Sequence, residues 1–525
     1  MHDIGFFIWK YSHHFVVNAT NQAGVLLAKQ FSWRYVTYKL TKENGSYVRK
    51  VDKAWSAKNE SSTQFRFHNN VFNEFRNICI ARPEIGAEAF DAVVEEVPFY
   101  PLANVNLKFQ ESWTDKPEQV PPISWGLERI DRGVRTLTYV WQTGFGKSYM
   151  STRCALHAGG RLVMILQPRY HQKWKKDFLK MLQVSEDDIL EVSGLGKLAD
   201  MTNRDWDNNS YPIVVISQDT FMDWLALYKA GDYKSMDALG FGVDPPNLME
   251  LLGAGSLLRD EVHECFHRVF IIDMFTHVPV TINVTATLLS DDREVSLMHE
   301  LLFPTVDRNT QKDIKTYTEV VLARFNLADS YKIRTTERNS SMHSQAAIEK
   351  SLLKNRPLLN AYCDFIISLV EEHFISKREP DERCIVFCAF RVFIEHLHKE
   401  LMKRFPDLKV MRYKSGEGEE AYEKNLLNAD ISITTKKSAG TAVDIPGLLT
   451  VIDAHLQSSS PAVIQALGRL RKLETKTPKY VPLVCTDWRK HTEYAAKLRI
   501  TLNGRVKKIV TVDYGQVQPN KNRQR

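Results

Sequence analysis

No stretch of this 525-residue chain approaches the roughly 20 consecutive apolar residues that a membrane-spanning helix requires. A helical membrane protein is therefore not expected. The N-terminal apolar run is only Ile4-Gly5-Phe6-Phe7-Ile8-Trp9, with neither a basic lead nor a small-residue cleavage site, so no secretory signal is read there. Cysteine is sparse, at 7 residues, and the one close pair is Cys384 and Cys388. These two lie in Cys384-Ile385-Val386-Phe387-Cys388, an expected buried strand, where residues four apart cannot bridge. Cys and His pairs at zinc-ligand spacing are missing as well. The expectation is a chain with reduced thiols in the cytoplasm, or in the host cytosol if the protein is viral. Charge of one sign is not dominant either: 70 basic residues face 63 acidic ones, a net +7 that mildly favours an acidic partner such as nucleic acid.

What is present is ordinary globular material, 43% hydrophobic and 25% charged. Its length suggests about three domains at roughly 150 residues each. The first hundred or so residues alternate aromatic, apolar and charged positions, as in Tyr35-Val36-Thr37-Tyr38-Lys39-Leu40, Tyr47-Val48-Arg49-Lys50-Val51 and Thr63-Gln64-Phe65-Arg66-Phe67. With Asn44-Gly45 between two of these segments, a hairpin in a small sheet is expected, and a helix over 70–76. Pro98, Pro101, Pro117, Pro121 and Pro122 mark a connection.

From Thr136 the pattern becomes strand, turn, helix, repeated. Strands are expected at 136–141, 161–166, 213–216 and 280–285, with a helix over 172–182. After a polar, less regular region at 307–342 the pattern resumes, with strands at 384–388, 408–412, 431–434 and 449–452. Short apolar strands alternating with helices imply parallel sheets covered on both faces. From Leu502 onward, Arg505, Lys507, Lys508, Lys521, Arg523 and Arg525 face the single acid Asp513, which fits either a solvated tail or a nucleic-acid contact.

Three segments carry chemistry. Thr143-Gly144-Phe145-Gly146-Lys147-Ser148 follows a strand and opens a helix. Its glycines let backbone N–H groups close around phosphate oxygens. Lys147 would meet the β/γ-phosphates and the Ser148 hydroxyl would ligate Mg²⁺. Tyr149 lies beside that loop, and Trp141 stands where the G-x-x-x-x-G-K-[ST] pattern has its first glycine. Asp260-Glu261-Val262-His263 follows the strand-like Gly255-Ser256-Leu257-Leu258. Asp260 can hold Mg²⁺, Glu261 can deprotonate an attacking water, and His263 can sense the γ-phosphate. Val269-Phe270-Ile271-Ile272-Asp273 competes as the more apolar strand ending in Asp, but only Asp260 is followed by Glu. Finally, Gln465-Ala466-Leu467-Gly468-Arg469-Leu470-Arg471-Lys472 is expected on a helix. Gln465 and Arg469 would share a face there, with Arg469 a cation for a γ-phosphate.

This ordered set resembles the superfamily 2 helicases and translocases over roughly residues 115–485, and most nearly the phage DNA helicases of the UvsW type. In that resemblance 144–148 corresponds to motif I, 260–263 to the DExH motif II, Thr285-Ala286-Thr287 to motif III and 465–472 to motif VI. Gln167-Pro168-Arg169 with Gln172 and Trp174 is similar to motif Ia, and 216–221 occupies the motif Ib position. The segment 384–391 resembles motif IV and 440–446 motif V. The resemblance implies nucleic-acid backbone contacts at Pro168, Arg169, Ser217, Gln218, Thr220, Arg391, Thr435, Lys436 and Gly440. It implies ATP and Mg²⁺ as cofactors, with Asp444 and Gln465 among the nucleotide residues. Two departures stand out: Ala442 occupies the usual motif V glycine, and Lys472 occupies the usual second arginine of motif VI. Either Arg471 or Lys472 is left to act beside Arg469. Gln119 is either an adenine-reading glutamine or an exposed loop residue.

The implied fold is α/β, with two RecA-like parallel-sheet domains in tandem behind a small α+β N-terminal domain. The expected domains are 1–110 (accessory, a candidate nucleic-acid binder), 111–335, 336–485 and a basic C-terminal extension at 486–525. The implied activity is ATP-dependent unwinding or translocation on forked or branched DNA, with RNA also open, in recombination, repair or replication and beside the proteins of those processes. An ATP-switched annealing protein and a translocating subunit of a restriction system are the alternatives.

Overall fold

The computed structural model describes residues 4–43, 46–53, 56–57, 63–142, 144–207, 210–288, 293–311, 316–337, 343–413, 421, 423–436, 438, 445–470, 473 and 475–519. Thr143, Gly440, Asp444, Arg471 and Lys472, together with the Asn44-Gly45 turn and the tail residues Lys521, Arg523 and Arg525, lie outside the described residues. The chain divides into two compact units, residues 1–288 with 292–311, and residues 289–291 with 312–525.

The first unit carries a seven-stranded parallel sheet. Its order across the sheet is Ile189–Val192, Ile213–Ser217, Arg161–Leu166, Ala254–Asp260, Val280–Thr285, Thr136–Val140 and Arg308–Thr310. The inner strands are buried along their whole length, which is why they read as continuous β-branched and leucine-rich runs with no alternation. Helices such as Lys147–His157, His171–Met181 and Gln218–Ala230 follow the strands; Val163, Ile165, Val214, Ile216, Leu257, Phe221, Trp224 and Phe270 belong to one core cluster.

The second unit repeats the architecture. Its sheet runs Val410–Arg412, Ile431–Thr434, Arg383–Phe387, Leu448–Asp453, Lys479–Cys485, Glu319–Leu327 and Lys508–Val517, again all parallel. Numbered by chain order within each sheet, both sheets read 3-4-2-5-6-1-7. The protein thus consists of two RecA-like sheets in tandem.

Three expectations change here. Glu319–Leu327 lies inside the region read as irregular, yet it pairs with Lys479–Cys485 and Lys508–Val517. The second unit therefore begins near residue 312 and not at 336, because this strand's pairing partners are all downstream. The expected extension at 486–525 is likewise part of that unit: Arg489–Leu502 is a helix, and Lys508–Val517 closes the edge of the sheet.

A small α+β element begins the first unit. Its five-stranded sheet runs Ser56–Ala57, Gln64–His68, His14–Ala19, Phe6–Lys10 and Val94–Glu96. Phe6, Phe15, Phe31, Phe65, Phe67, Phe75 and Phe90 fill its core, many of them edge to face. The expected hairpin forms between Val36–Glu43 and Ser46–Lys53, but as a separate two-stranded sheet. The helix read at 70–76 spans Phe72–Ile80 after a single 3₁₀ turn at Asn69–Val71.

Candidate nucleotide and catalytic site

Lys147 begins a helix at the carboxyl end of Thr136–Val140, and Asp260 ends the strand Ala254–Asp260 two places away in the sheet. Carboxyl ends of parallel strands are where α/β sheets gather ligand groups. The turn before the helix needs glycine: Gly144 has φ +88° and Gly146 has φ +80°, both left-handed. A side chain at Gly146 would also strike Gln119, whose Nε2 lies 2.1 Å from where a Cβ would be. Gln119 is buried and not an exposed loop residue; its Nε2 donates to the Phe145 carbonyl at 3.1 Å and its Oε1 accepts from the Lys116 N–H at 3.2 Å. It thereby fastens the segment before the sheet to the glycine turn. The Lys147 ammonium is buried and donates to the Trp141 carbonyl at 3.0 Å. Trp141 holds its own place through its indole N–H, which donates to Asn309 at 2.9 Å, and it packs edge-on to Phe145. Tyr149 faces the connecting segment, donating its hydroxyl to Asp115 at 2.7 Å and stacking on Trp113.

Asp260 is held by three donors. Its Oδ2 accepts from Lys173 Nζ at 3.1 Å and Trp174 Nε1 at 3.0 Å, and its Oδ1 from the Glu261 N–H at 2.9 Å. Burial opposes its ionisation, but the Lys173 and Lys147 ammonium groups outweigh burial and keep the carboxyl below the ordinary range. Glu261 adopts φ +50°, a left-handed conformation that a non-glycine residue holds only under constraint. Its Oε2 is buried without a hydrogen-bond partner. Burial pushes this carboxyl up to about 7; Lys147 opposes that shift and Asp260 adds to it. His263 lies 3.4 Å from Glu261 Oε2 and 2.7 Å from the Thr285 hydroxyl. Burial lowers its imidazole to about 4, so it is neutral at pH 7. The Thr285 hydroxyl continues to the Thr287 carbonyl at 2.7 Å, joining the motif II-like and motif III-like segments.

The competing Asp273 occupies a different environment. Residues Phe266–Asp273 form a helix and not a strand, and the fully buried Asp273 pairs with Arg259 at 2.6 Å. Burial favours its neutral form, but the Arg259 guanidinium overrides this and holds it well below the usual carboxylate range.

Two residues of the site, Lys173 and Asp177, carried no role in the sequence reading, and a third, Trp174, was read only as part of the motif Ia-like segment. All lie on His171–Met181, and Lys173 and Asp177, four apart, share a helix face. Burial raises the Asp177 carboxyl, and its other neighbours include Lys173, the Ser148 hydroxyl and Asp260. The charged i, i+4 pair beside a tryptophan was the available signal.

The expected nucleic-acid residues are less uniform. Pro168 and Arg169 sit on a 3₁₀ turn at the end of Arg161–Leu166, where Arg169 is ion-paired with Glu264. Ser217 caps the helix Gln218–Ala230, and the Thr220 hydroxyl accepts from the Gly194 N–H at 2.8 Å. Ser217, Gln218 and Thr220 are all buried. In the second unit Arg391 is exposed at the start of Arg391–Arg404. Thr435 bonds Ser438, and Lys436 pairs with the buried Asp453 at 2.6 Å. Gln465 is on the helix Ser460–Leu467, but that helix ends before Arg469, so the two do not share a helical face. Gly468 is the C-cap, and Arg469 is buried with its guanidinium 5.3 Å from the Phe387 ring centre.

No family model and no curated protein matches this sequence. Among solved structures the chain resembles the ATP-dependent Type ISP restriction-modification enzyme LlaBIII bound to DNA, with a TM-score of 0.50 and 15% identity over 77% of this chain and 32% of that one. The Pyrococcus furiosus Hef helicase domain aligns at TM-score 0.42 and 13% identity over 72% of this chain and 97% of that domain. This chain spans about a third of the LlaBIII chain. At 15% identity the likeness to the LlaBIII chain is one of fold alone.

Proposed function

We propose that the chain is an ATP-dependent superfamily 2 helicase or translocase acting on DNA, of the phage type that works on forked or branched substrates. The observation that carries the proposal is the convergence of Lys147, Asp260, Glu261 and His263 beside a left-handed glycine turn at one end of one parallel sheet. A buried cation, an ionised Asp, a Glu tuned near neutrality and a neutral His fit nucleotide hydrolysis and have no packing purpose together.

The residues present suit Mg²⁺ and ATP. The glycine cradle admits no side chain at Gly146, and the Glu261 Oε2 is buried without a hydrogen-bond partner. Among the described residues no group of three or more His, Cys, Asp and Glu side chains forms a metal cage. An ion at Asp260 and Ser148 would therefore take its other ligands from phosphate and water, the usual habit of Mg²⁺. When bound, Mg²⁺·ATP supplies the scissile phosphoanhydride and neutralises its developing charge. The chain does the rest. Lys147 leaves the Trp141 carbonyl for the β/γ-phosphates, Glu261 takes the proton of the attacking water, and His263 passes the change at the γ-position to Thr285. Arg469 is proposed as a further phosphate cation, with Arg471 or Lys472 beside it.

The test is ATP hydrolysis measured with single-stranded DNA, duplex, forked DNA, four-way junctions and RNA. Stimulation by branched DNA supports the reading, and turnover indifferent to every nucleic acid ends it. Unwinding of a forked duplex then separates a helicase from an ATP-switched annealing protein, and a co-purifying nuclease would point to a restriction translocase.

A further inference from the structure

Glu264, the residue after the Asp-Glu-Val-His segment, is gripped by the neighbouring stretch Gln167 to Tyr170. Its Oε2 accepts from the Tyr170 hydroxyl at 2.9 Å and from Gln167 Nε2 at 3.2 Å, and it is ion-paired with the Arg169 guanidinium. Gln167 also donates to Cys265 Sγ at 3.0 Å. At the other end, the Glu264 N–H donates to the Glu261 carbonyl at 3.0 Å, closing the turn that holds Glu261 at φ +50°. One residue thus touches both the candidate phosphate-contact segment and the turn bearing the candidate base.

The two charges are unequally exposed. The Arg169 side chain is 39% exposed and the Glu264 side chain 11%. A phosphate arriving from solvent can reach the guanidinium without displacing the carboxylate from its other donors. Arginine's fork suits a phosphate as well as it suits a carboxylate. If Arg169 turns outward, the Glu264 carboxylate gives up that ion pair but keeps the hydrogen bonds from Tyr170 and Gln167.

We propose that Glu264 is a positioning residue that competes with a nucleic-acid phosphate for Arg169 and, through its turn, makes Glu261's placement depend on that phosphate. The proposal rests on the reading of the chain as a nucleic-acid-stimulated ATPase. It adds the residue through which stimulation enters the first unit. A phosphate that binds Arg169 better in one arrangement of the Glu264 turn shifts the population towards that arrangement, and with it the placement of Glu261.

The experiment compares wild type, Glu264→Gln, Arg169→Ala and the double variant. It uses a fluorescently labelled oligothymidylate and an oligouridylate of equal length, and measures Kd by anisotropy and ATPase rate with and without oligonucleotide. Glu264→Gln is expected to tighten oligonucleotide binding about two- to fivefold, the scale of a partly exposed ion pair. It is also expected to shrink the ratio of stimulated to unstimulated kcat with little change in KM for ATP, a split that simple loss of structure would not produce. In the Arg169→Ala background the same substitution is expected to leave Kd unchanged. Tyr170→Phe, which removes one competing donor, should bind Arg169 to Glu264 more firmly and weaken oligonucleotide binding; it serves if Glu264→Gln does not fold. Wild-type Kd and stimulation in Glu264→Gln, or independent effects in the double variant, overturn the coupling alone. A wild-type protein that neither binds oligonucleotide nor hydrolyses ATP overturns the underlying reading first.

Discussion

The imidazole Nδ1 of His263, in the turn after the strand Ala254–Asp260, stands 2.7 Å from the Oγ1 of Thr285, the last residue of the neighbouring parallel strand. The hydroxyl also accepts from the Thr287 N–H at 3.2 Å, so it is a junction between two segments and not a terminal contact. Thr285→Val keeps the shape and removes the junction. It is expected to retain ATP binding while lowering the coupling of hydrolysis to strand movement, read as ATP consumed per base pair unwound. The folded state should lose about 1–3 kcal/mol, because buried polar partners are left unpaired. Unchanged coupling would leave this contact a purely structural one.

Lys147→Ala should abolish ATP turnover without loss of fold. In the absence of nucleotide the ammonium donates to the Trp141 carbonyl and favours the charged forms of Asp260 and Glu261, and it fills no apolar core position. Turnover and thermal melting measured on the same preparation decide the matter. Near-normal hydrolysis would remove the glycine turn from the active site.

Glu261→Gln and Asp273→Asn should separate chemistry from stability. The first keeps size but cannot accept a proton, so hydrolysis should slow by about 10²–10⁴. With the wild-type carboxyl near 7, the rate should fall as pH drops below 7, and the Gln variant should lose that dependence. Asp273→Asn removes the charge opposite a fully buried Arg259 and should cost about 3–5 kcal/mol in denaturant unfolding, while activity per folded molecule persists. The reverse pattern would reassign the catalytic acid.

Arg469→Ala tests the second unit. ATP binding should survive and most nucleic-acid-stimulated turnover should disappear, measured with and without DNA at two salt concentrations. Full stimulation in the variant would restrict Arg469 to its packing on Phe387.

Acidification should destabilise the protein below the ordinary histidine range. Burial lowers His13, His263, His373 and His455 to about 4 and His491 to about 3, against an unfolded value of 6.5. The unfolded chain therefore binds more protons between pH 6.5 and 4, and the stability these residues contribute above 6.5 is lost through that window. Glu261 and Glu349, raised by burial to about 7 and about 8, act oppositely: they favour the folded state increasingly as pH falls from 8 towards 4.5. Five histidines outnumber two glutamates, so the melting temperature should drop from pH 6.5 to 4. A flat profile would mean the imidazoles are hydrated.

The strands at 161–166, 280–285 and 431–434 were legible to the residue, as was the glycine turn before Lys147, because continuous apolar runs and left-handed glycines are local features. Glu319–Leu327 was not, since its Arg324 and Asn326 break the apolar pattern and only its partners, far downstream, make it a strand. The stretch ending in Asp273 is as apolar as a buried strand, and burial against the sheet made it a helix; periodicity cannot tell the two apart over so short a run. What the sequence by itself determined was the order of the chemical groups and the parallel α/β class, both encoded in short contiguous segments. Only the tertiary structure decided that Lys173 and Trp174 would hold Asp260 from 87 and 86 residues away, that Glu264 would hold Arg169, and that Arg469 would lie past the end of its helix. The first two relationships come from strand order across a sheet, a non-local property that no window of residues contains; the third turns on where one short helix stops, which its periodicity does not mark.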